Sequence, residues 1–528
     1  MSKRFLVVLW SVLLCVGALH AERVMVIADP HVIPASMVQP GAAADKMDSS
    51  ITKMVHLSDT AFGAVIDTAL LYRPELVLIP GDLTKDGERA SHELVAAQLK
   101  RLQDAGIKVL VVPGNHDISN PNAHSYTGDQ KTKVPNISDA DYDNIYAAFM
   151  PAAVTARDPE SHSYAAEPLR GVTVLGIDGT DGNAGEGSIS ENTLNWLLAQ
   201  ADAAVEKGNL VIAMCHWHIV EHVDQQTLLL SVSRMTNSEE VAEALAKHHV
   251  HLVLTGHFHV NDIATAFYGE NLQDSIVDIS TGSPVTYPCP YRWLEISADR
   301  STVTVATEDI RTLDTIADMQ AYSRAWQEKH TAYRLPDVAR KSWARVDGYV
   351  AQMKNSSSIT TKAMGTMIEA ALPKTDSARV EIFERHLGGA IVALYMLHSD
   401  ANEPERPEKD AVKDSVYNGM TNMIVEVISD LPEALQGMMA EMAIMMMETP
   451  VESICEDETS SSDLKYTNRT DDLYPVLKLN EPQEIPNEGL ETVEAESSRA
   501  SYDVLGRPVK EPMPGQVIIR NKTKQVTK

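Results

Sequence analysis

Five short stretches hold the side chains able to bind a metal ion or move a proton: Asp29-Pro-His31, Gly81-Asp82, Gly114-Asn-His-Asp117, His216 and Gly256-His-Phe-His259. Imidazoles, carboxylates and an amide oxygen suit Zn, Mn, Fe or Ni ions far better than they suit Ca. Asp29, His31, Asp82, Asn115, His216, His257 and His259 form a set too large for one ion. They suit two divalent transition metal ions that share Asp82. A carboxylate-bridged pair about 3.5–4 Å apart can hold a water as hydroxide and clamp phosphate oxygens from both sides, so in-line attack on phosphorus is the expected chemistry. His116 lies next to Asn115 and is expected to protonate the departing alkoxide. Asp117, its neighbour, is expected to fix its tautomer.

Each stretch follows a run of apolar residues. Arg23–Ala28, Glu75–Pro80, Ile107–Val112, Asn209–Cys215 and His251–Thr255 read as buried strands that stop where the polar residues begin. Helical patterns lie between them, over about 52–72 and at Leu94, Ala97 and Leu102 before Gly106. Alternation of this kind predicts a mostly parallel sheet with helical crossovers. Such a sheet gathers its carboxyl ends and so brings residues 29 to 259 to one place. Gly171–Ile177 is a further strand, and Ser188 with Glu191 reads as a capping box before a helix carrying Leu194, Leu197, Ala201 and Val205. Residues 118–165 are an insertion, as well suited to a pocket wall as to a surface excursion. His218 and His222 line the pocket or lie on the surface. His56, His92, His248 and His249 read as helix-surface residues, Asp86 as a turn carboxylate and Cys215 as packing. Asp178 ends a strand without a clear claim on the site.

Asp-x-His, Gly-Asp, Gly-Asn-His-Asp, a single His and Gly-His-x-His, in this order, resemble the calcineurin-like metallophosphoesterase family over roughly residues 22–310. The resemblance implies a two-sheet αββα sandwich. It implies one metal held by Asp29, His31, Asp82 and His259, and a second by Asp82, Asn115, His216 and His257. Purple acid phosphatases place a metal-binding Tyr where Lys85 stands. Protein Ser/Thr phosphatases carry Asp-Arg-Gly where Lys85-Asp86-Gly87 stands, and Arg where Pro113 stands. The loops 81–87 and 113–117 look closer to bacterial cyclic-nucleotide phosphodiesterase-like members. A small-molecule phosphate ester is therefore the expected substrate. A non-catalytic binding protein on this scaffold would be expected to have lost a ligand or His116, and none is lost.

The net charge of −29 over 528 residues argues against general attraction to nucleic acid duplexes or anionic membranes. Lys3 and Arg4 precede the apolar run Phe5–Leu19, which reads as a signal peptide over 1–21 and places the mature chain in the periplasm, at the cell surface or outside the cell. The run is shorter than the roughly 20 residues of a membrane span, so no span is expected in the mature chain. Its removal leaves Cys215, Cys289 and Cys455, an odd number that makes no disulfide framework. The metallophosphoesterase domain is expected over 22–311 and an α-helical region over 312–450. Three apolar stripes mark its helices: Val380, Phe383, Leu387, Ile391, Leu394; then Val412, Val416, Met420, Met423, Val427; then Leu435, Met438, Met439, Met442, Met445. They are expected to pack on each other, on the catalytic domain or in a helix-mediated oligomer. Residues 451–528 read as an acidic linker ending in a hairpin or sorting segment at Tyr502–Arg507 and Pro514–Ile519.

Overall fold

The computed structural model describes residues 21–149, 153–180, 187–223, 234–269, 273–431, 436–437, 439, 451–457, 466–468, 472–479, 501–503, 517–520 and 523–526. The expected signal peptide and most of the third apolar stripe lie outside these residues.

The first third of the chain alternates strands and helices as its apolar runs require. It comprises β1 (Glu22–Val26), α1 (Ser58–Tyr72), β2 (Leu76–Pro80), α2 (Arg89–Asp104) and β3 (Lys108–Val112). The insertion that follows folds into a hairpin, His124–Thr127 with Gln130–Lys133, a helix Asp139–Tyr146 and β4 (Val154–Arg157). Then come β5 (Tyr164–Leu169), β6 (Val172–Ile177), α3 (Glu191–Glu206), β7 (Leu210–Cys215), α4 (Ser238–Lys247), β8 (Leu252–Thr255), β9 (Asp262–Tyr268), β10 (Asp274–Ser280), β11 (Pro290–Ile296) and β12 (Thr302–Asp309). The cap of α3 corrects the sequence reading. Ser190, not Ser188, accepts from the Thr193 N–H, while Ser188 donates its own N–H to the Gly179 carbonyl.

Two sheets result, and both receive a late strand: β13 (Tyr466–Asn468) and β14 (Val476–Lys478). One sheet runs β14-β12-β11-β1-β2-β3 and the other β13-β9-β10-β8-β7-β6-β5-β4. Strands β1, β2 and β3 are parallel, as are β6, β7, β8 and β10. The period of two along β7 separates its faces. Ile212 and Met214 enter a core shared with Val26, Leu78 and Val109 of the first sheet and with Phe62 and Val95 of α1 and α2. Val211, Ala213 and Cys215 pack instead with Leu194 and Leu197 of α3 and Val241 and Leu245 of α4. Each fully buried Val, Leu, Ile, Phe or Met side chain among them contributes about 1.5–3 kcal/mol. This is the expected αββα sandwich.

A helical region follows: α5 (Met319–Lys354), α6 (Ile359–Ala371), α7 (Asp376–Phe383), a π turn over 384–388, α8 (Gly389–Asp400) and α9 (Lys409–Val427). The first two apolar stripes bury against one another, with Phe383, Leu387, Leu394, Val412, Val416 and Met420 in a single core that Met439 also touches.

The segment after residue 450 is more than a linker. Val451 and Cys455 join the helical core, β13 pairs with β9, and β14 pairs with β12. Leu477 and Leu479 alternate into the sandwich core, which a solvated acidic tail would not do. Ser501–Asp503, Val517–Arg520 and Thr523–Val526 form a separate antiparallel sheet, while residues 504–507 and 514–516 of the expected hairpin lie outside the described residues.

Candidate metal centre

Asp29 and His31 follow β1, Asp82 follows β2, Asn115 and His116 follow β3, His216 follows β7, and His257 and His259 follow β8. The carboxyl ends of the parallel strands thus supply every predicted ligand. Five of them, Asp29, His31, Asp82, His257 and His259, have φ between 43° and 65°. That left-handed conformation costs a non-glycine residue about 1–3 kcal/mol and persists where the surroundings over-determine it. Two glycines permit the close approach of these turns. A Cβ on Gly256 would collide with the Asp29 carboxylate, and one on Gly114 with that of Asp82.

The ligand atoms converge on two points. Around the first, His31 Nε2 and His259 Nε2 are 3.0 Å apart, with Asp29 Oδ1 3.3 Å from His259 Nε2 and Asp82 Oδ2 3.5 Å from His31 Nε2. Around the second, His216 Nε2 is 3.0 Å from Asn115 Oδ1, 3.0 Å from His257 Nδ1 and 3.4 Å from Asp82 Oδ2. Asp82 Oδ2 belongs to both groups. Paired imidazole nitrogens facing each other at hydrogen-bond distance, beside carboxylate oxygens, are a donor set aimed at shared points rather than a self-satisfied network. The residues present fit two transition-metal ions. Asp29, His31, Asp82 and His259 lie around one point, and Asp82, His216 and His257, with Asn115, around the other.

Outer contacts fix these groups. The His257 N–H donates to both Asp29 oxygens at 2.9 and 3.1 Å, and His216 Nδ1 donates to the Pro80 carbonyl at 3.0 Å. Burial, Lys53 and neighbouring imidazoles hold the His31 pKa well below its usual value. Burial also lowers that of His259, despite the Asp29 carboxylate beside it. A lowered pKa favours the neutral form of each ring, the form that ligates a metal. Burial opposes the charge on His216 too, but Asp82 and Asp29 outweigh it and raise its pKa to about 9. Burial likewise works against ionised Asp82, yet His216, His116 and His31 hold its carboxyl well below the ordinary range.

One expected role moves to another residue. Asp117 does not touch the His116 ring. Its buried carboxylate accepts from the N–H groups of Leu83 at 3.1 Å, Thr84 at 2.9 Å and Gly114 at 2.9 Å, and from the Thr84 hydroxyl at 2.8 Å. It staples the Asp82 loop to the Asn115 loop. The partner of His116 is Asp86, whose Oδ1 lies 2.9 Å from Nδ1, while Lys85 pairs with the other Asp86 oxygen. His116 Nε2 is left facing the site, 3.9 Å from Asp82 Oδ2.

The sequence reading also missed Lys53, whose Nζ lies 3.2 Å from His31 Nε2 and 3.5 Å from His116 Nε2. It follows no strand, so no pattern announces it. Of the uncertain histidines, His218 and His222 are buried, not on the surface. His218 lies 3.0 Å from the Ser280 hydroxyl, and His222 sits between Asp262 and Asp278. His92 is buried as well, 2.8 Å from the Tyr146 hydroxyl and 2.9 Å from the Asp117 carbonyl. Asp178 caps its own turn by accepting from the N–H groups of Thr180 and His162, apart from the ligands. The insertion 118–165 braces the site from behind, with Asn120 donating to the His116 carbonyl at 3.2 Å. The helical region closes on the front: Trp326 donates to the Thr52 carbonyl at 3.0 Å, and Phe258, between the two ligand histidines, meets the His398 ring at 5.5 Å.

Sheet topology, strand-end ligands and a shared carboxylate define an α/β sandwich protein with two adjoining groups of candidate metal ligands. Residues 22–261 match the model of the family described as calcineurin-like phosphoesterase. A relative from Moraxella catarrhalis (strain BBH18), whose name reads "Probable cyclic nucleotide phosphodiesterase", is 25% identical over 199 residues, covering 38% of this chain. The chain spans 63% of that relative's length. Among solved structures, a dimetal phosphatase from Danio rerio is similar over 54% of this chain and 95% of its own, at 14% identity and a TM-score of 0.38. A sulfate thiohydrolase from Thermus thermophilus is similar over 60% of this chain and 61% of its own, at 12% identity and a TM-score of 0.28.

Proposed function

We propose that the chain hydrolyses phosphate esters, with phosphodiesters, cyclic nucleotides among them, as its substrates. The observation that carries this reading is Asp82 Oδ2, shared by two converging groups of ligand atoms with His116 Nε2 beside it. When bound there, the two ions supply Lewis acidity toward phosphate oxygens and lower the pKa of a water. Asp82 holds the two groups at a fixed spacing, and its Oδ1 accepts from the His116 N–H at 2.9 Å, which ties the acid to the centre. Asp86 accepts from His116 Nδ1, which leaves Nε2 facing the leaving oxygen; Nε2 donates there from the imidazolium form, in which both ring nitrogens carry a proton. Lys53 supplies an ammonium at the rim. A diester, with its single charge, is the preferred substrate class. The Moraxella relative's name and the loops 81–87 and 113–117 support the same preference.

The test compares a phosphate monoester and a diester bearing the same chromogenic leaving group. Metal-stripped protein is reloaded with Mn, Zn, Fe(II) or Ni, and Asp82→Asn controls for contaminating enzyme. Faster turnover of the diester is expected, with none by Asp82→Asn. A monoester preference would replace the substrate class, and no turnover with two metals bound would return the chain to the binding-protein class.

We also infer export, on the strength of Lys3-Arg4 and the apolar run 5–19. Fractionation of cells expressing the full chain, with mass measurement of its amino terminus, should find it outside the cytoplasm and cut near Ala21. No helix among the described residues is long and apolar enough to cross a membrane.

A further inference from the structure

A second group of carboxylates lies outside the phosphoesterase site, where four parts of the chain meet. Glu403 stands in the turn after α8, Asp457 follows the short helix at 451–456, and Asp472 lies between β13 and β14. One oxygen of each falls within 4.8 Å of the others, and all three side chains are at most 7% exposed. Asp262, at the start of β9, is a fourth buried carboxylate whose charge acts on all three.

Among the described residues, His398, His222 and Arg292 approach these carboxylates. His398 Nδ1 is 2.6 Å from Glu403 Oε1. His222 is divided between Asp262 and Asp278. Arg292 reaches the Asp472 carbonyl at 2.6 Å. The Asp472 carboxylate accepts N–H bonds from Ile263 at 2.9 Å and Asn402 at 3.3 Å. Glu403 Oε2 and Asp457 Oδ2 are buried with no hydrogen-bond partner among the described residues. An unpartnered buried carboxylate oxygen is costly, and several together repel one another. Burial first, and then their neighbours' charges, push the Asp457 and Asp472 carboxyls well above the usual carboxylate range.

We propose that Glu403, Asp457 and Asp472, with Asp262 beside them, bind a calcium ion that joins the helical region and the late strand segment to the sandwich. Oxygen-only ligands select a hard cation over a transition metal. Several protein carboxylates on irregular segments suit the flexible coordination of Ca, whereas Mg keeps several waters and takes one or two carboxylates. The proposal does not rest on phosphoesterase activity.

Equilibrium dialysis of the full chain against radioactive calcium tests it, after treatment with a calcium-selective chelator and with excess Mg and saturating Mn present. One Ca per chain is expected, with a rise in Tm on adding calcium. Asp457→Asn and Glu403→Gln should each weaken binding by about tenfold or more, while ester turnover with Mn stays within about twofold of wild type. Wild-type protein that takes up no calcium at about 1 mM, the weak end of the range for extracellular modules, would overturn the proposal. So would Asp457→Asn binding calcium as wild type does. A Tm raised by Asp457→Asn in chain that binds no calcium would identify a protonated carboxyl cluster instead.

Discussion

Neighbours in sequence do not share a task here. Asp117 follows His116 directly, yet a turn sends the two side chains apart, and the carboxylate that meets the imidazole comes from Asp86 in another loop. The two carboxylates should therefore fail differently. Asp86→Asn is expected to keep both metals and to lower turnover by about 10²-fold, the usual worth of general acid catalysis. The loss should be greatest for poor leaving groups, as for His116→Ala. Equal losses on good and poor leaving groups would refute the role. Asp117→Ala strips partners from three buried N–H groups, each worth about 1–3 kcal/mol. It should show as a lowered Tm and metal occupancy without a leaving-group trend, measurable by calorimetry and metal analysis. The ligands themselves were legible in the sequence because each ends an apolar strand, and parallel strands gather their ends. The Asp86 contact and Lys53 were not, because both depend on how loops without periodic patterns fold back.

At the scale of elements, α2 shows a signal that was present and passed over. His92, Val95, Leu99 and Leu102 recur at helical spacing, and all four are buried, so His92 lies on the inward stripe. A polar residue type concealed a position that the periodicity had already assigned. Burial lowers its pKa from 6.5 to about 4, against the opposing effect of the Asp117 carbonyl. The sign follows from where the proton goes. As pH falls from 6.5 toward 4 the unfolded chain takes up a proton that the folded chain refuses, so stability falls by about 3 kcal/mol over that window. His92→Gln should be less stable at neutral pH but lose Tm less steeply between pH 6.5 and 4. Parallel Tm curves for the two proteins would refute this. The α8 and α9 stripes were legible for the same reason as α2, whereas the cap of α3 was misplaced by two residues because Ser188 and Ser190 both precede the helix. Only the backbone turn decides which of them faces the free N–H groups.

For the whole molecule, composition was a poor guide after residue 450. Acidic and serine-rich stretches there suggested a solvated linker, while the short apolar runs that add to the two sheets were too brief to stand out. Their pairing covers one edge of each sheet, and exposed edges invite association between molecules. A chain ending at residue 457 should keep its helical content by circular dichroism yet aggregate at concentrations where the full chain stays monodisperse. Light scattering would check this, and an equally monodisperse truncated chain would show that the late strands are dispensable.

The placement of β13 and β14 also sets a clock on synthesis. The sandwich is made first and completed last, because residues 310–478 must be added between its twelfth strand and its fourteenth. At about 5–20 residues per second a growing chain spends roughly 10–30 s with both sheets unfinished. Whatever guards the nascent chain must protect those two edges for that interval.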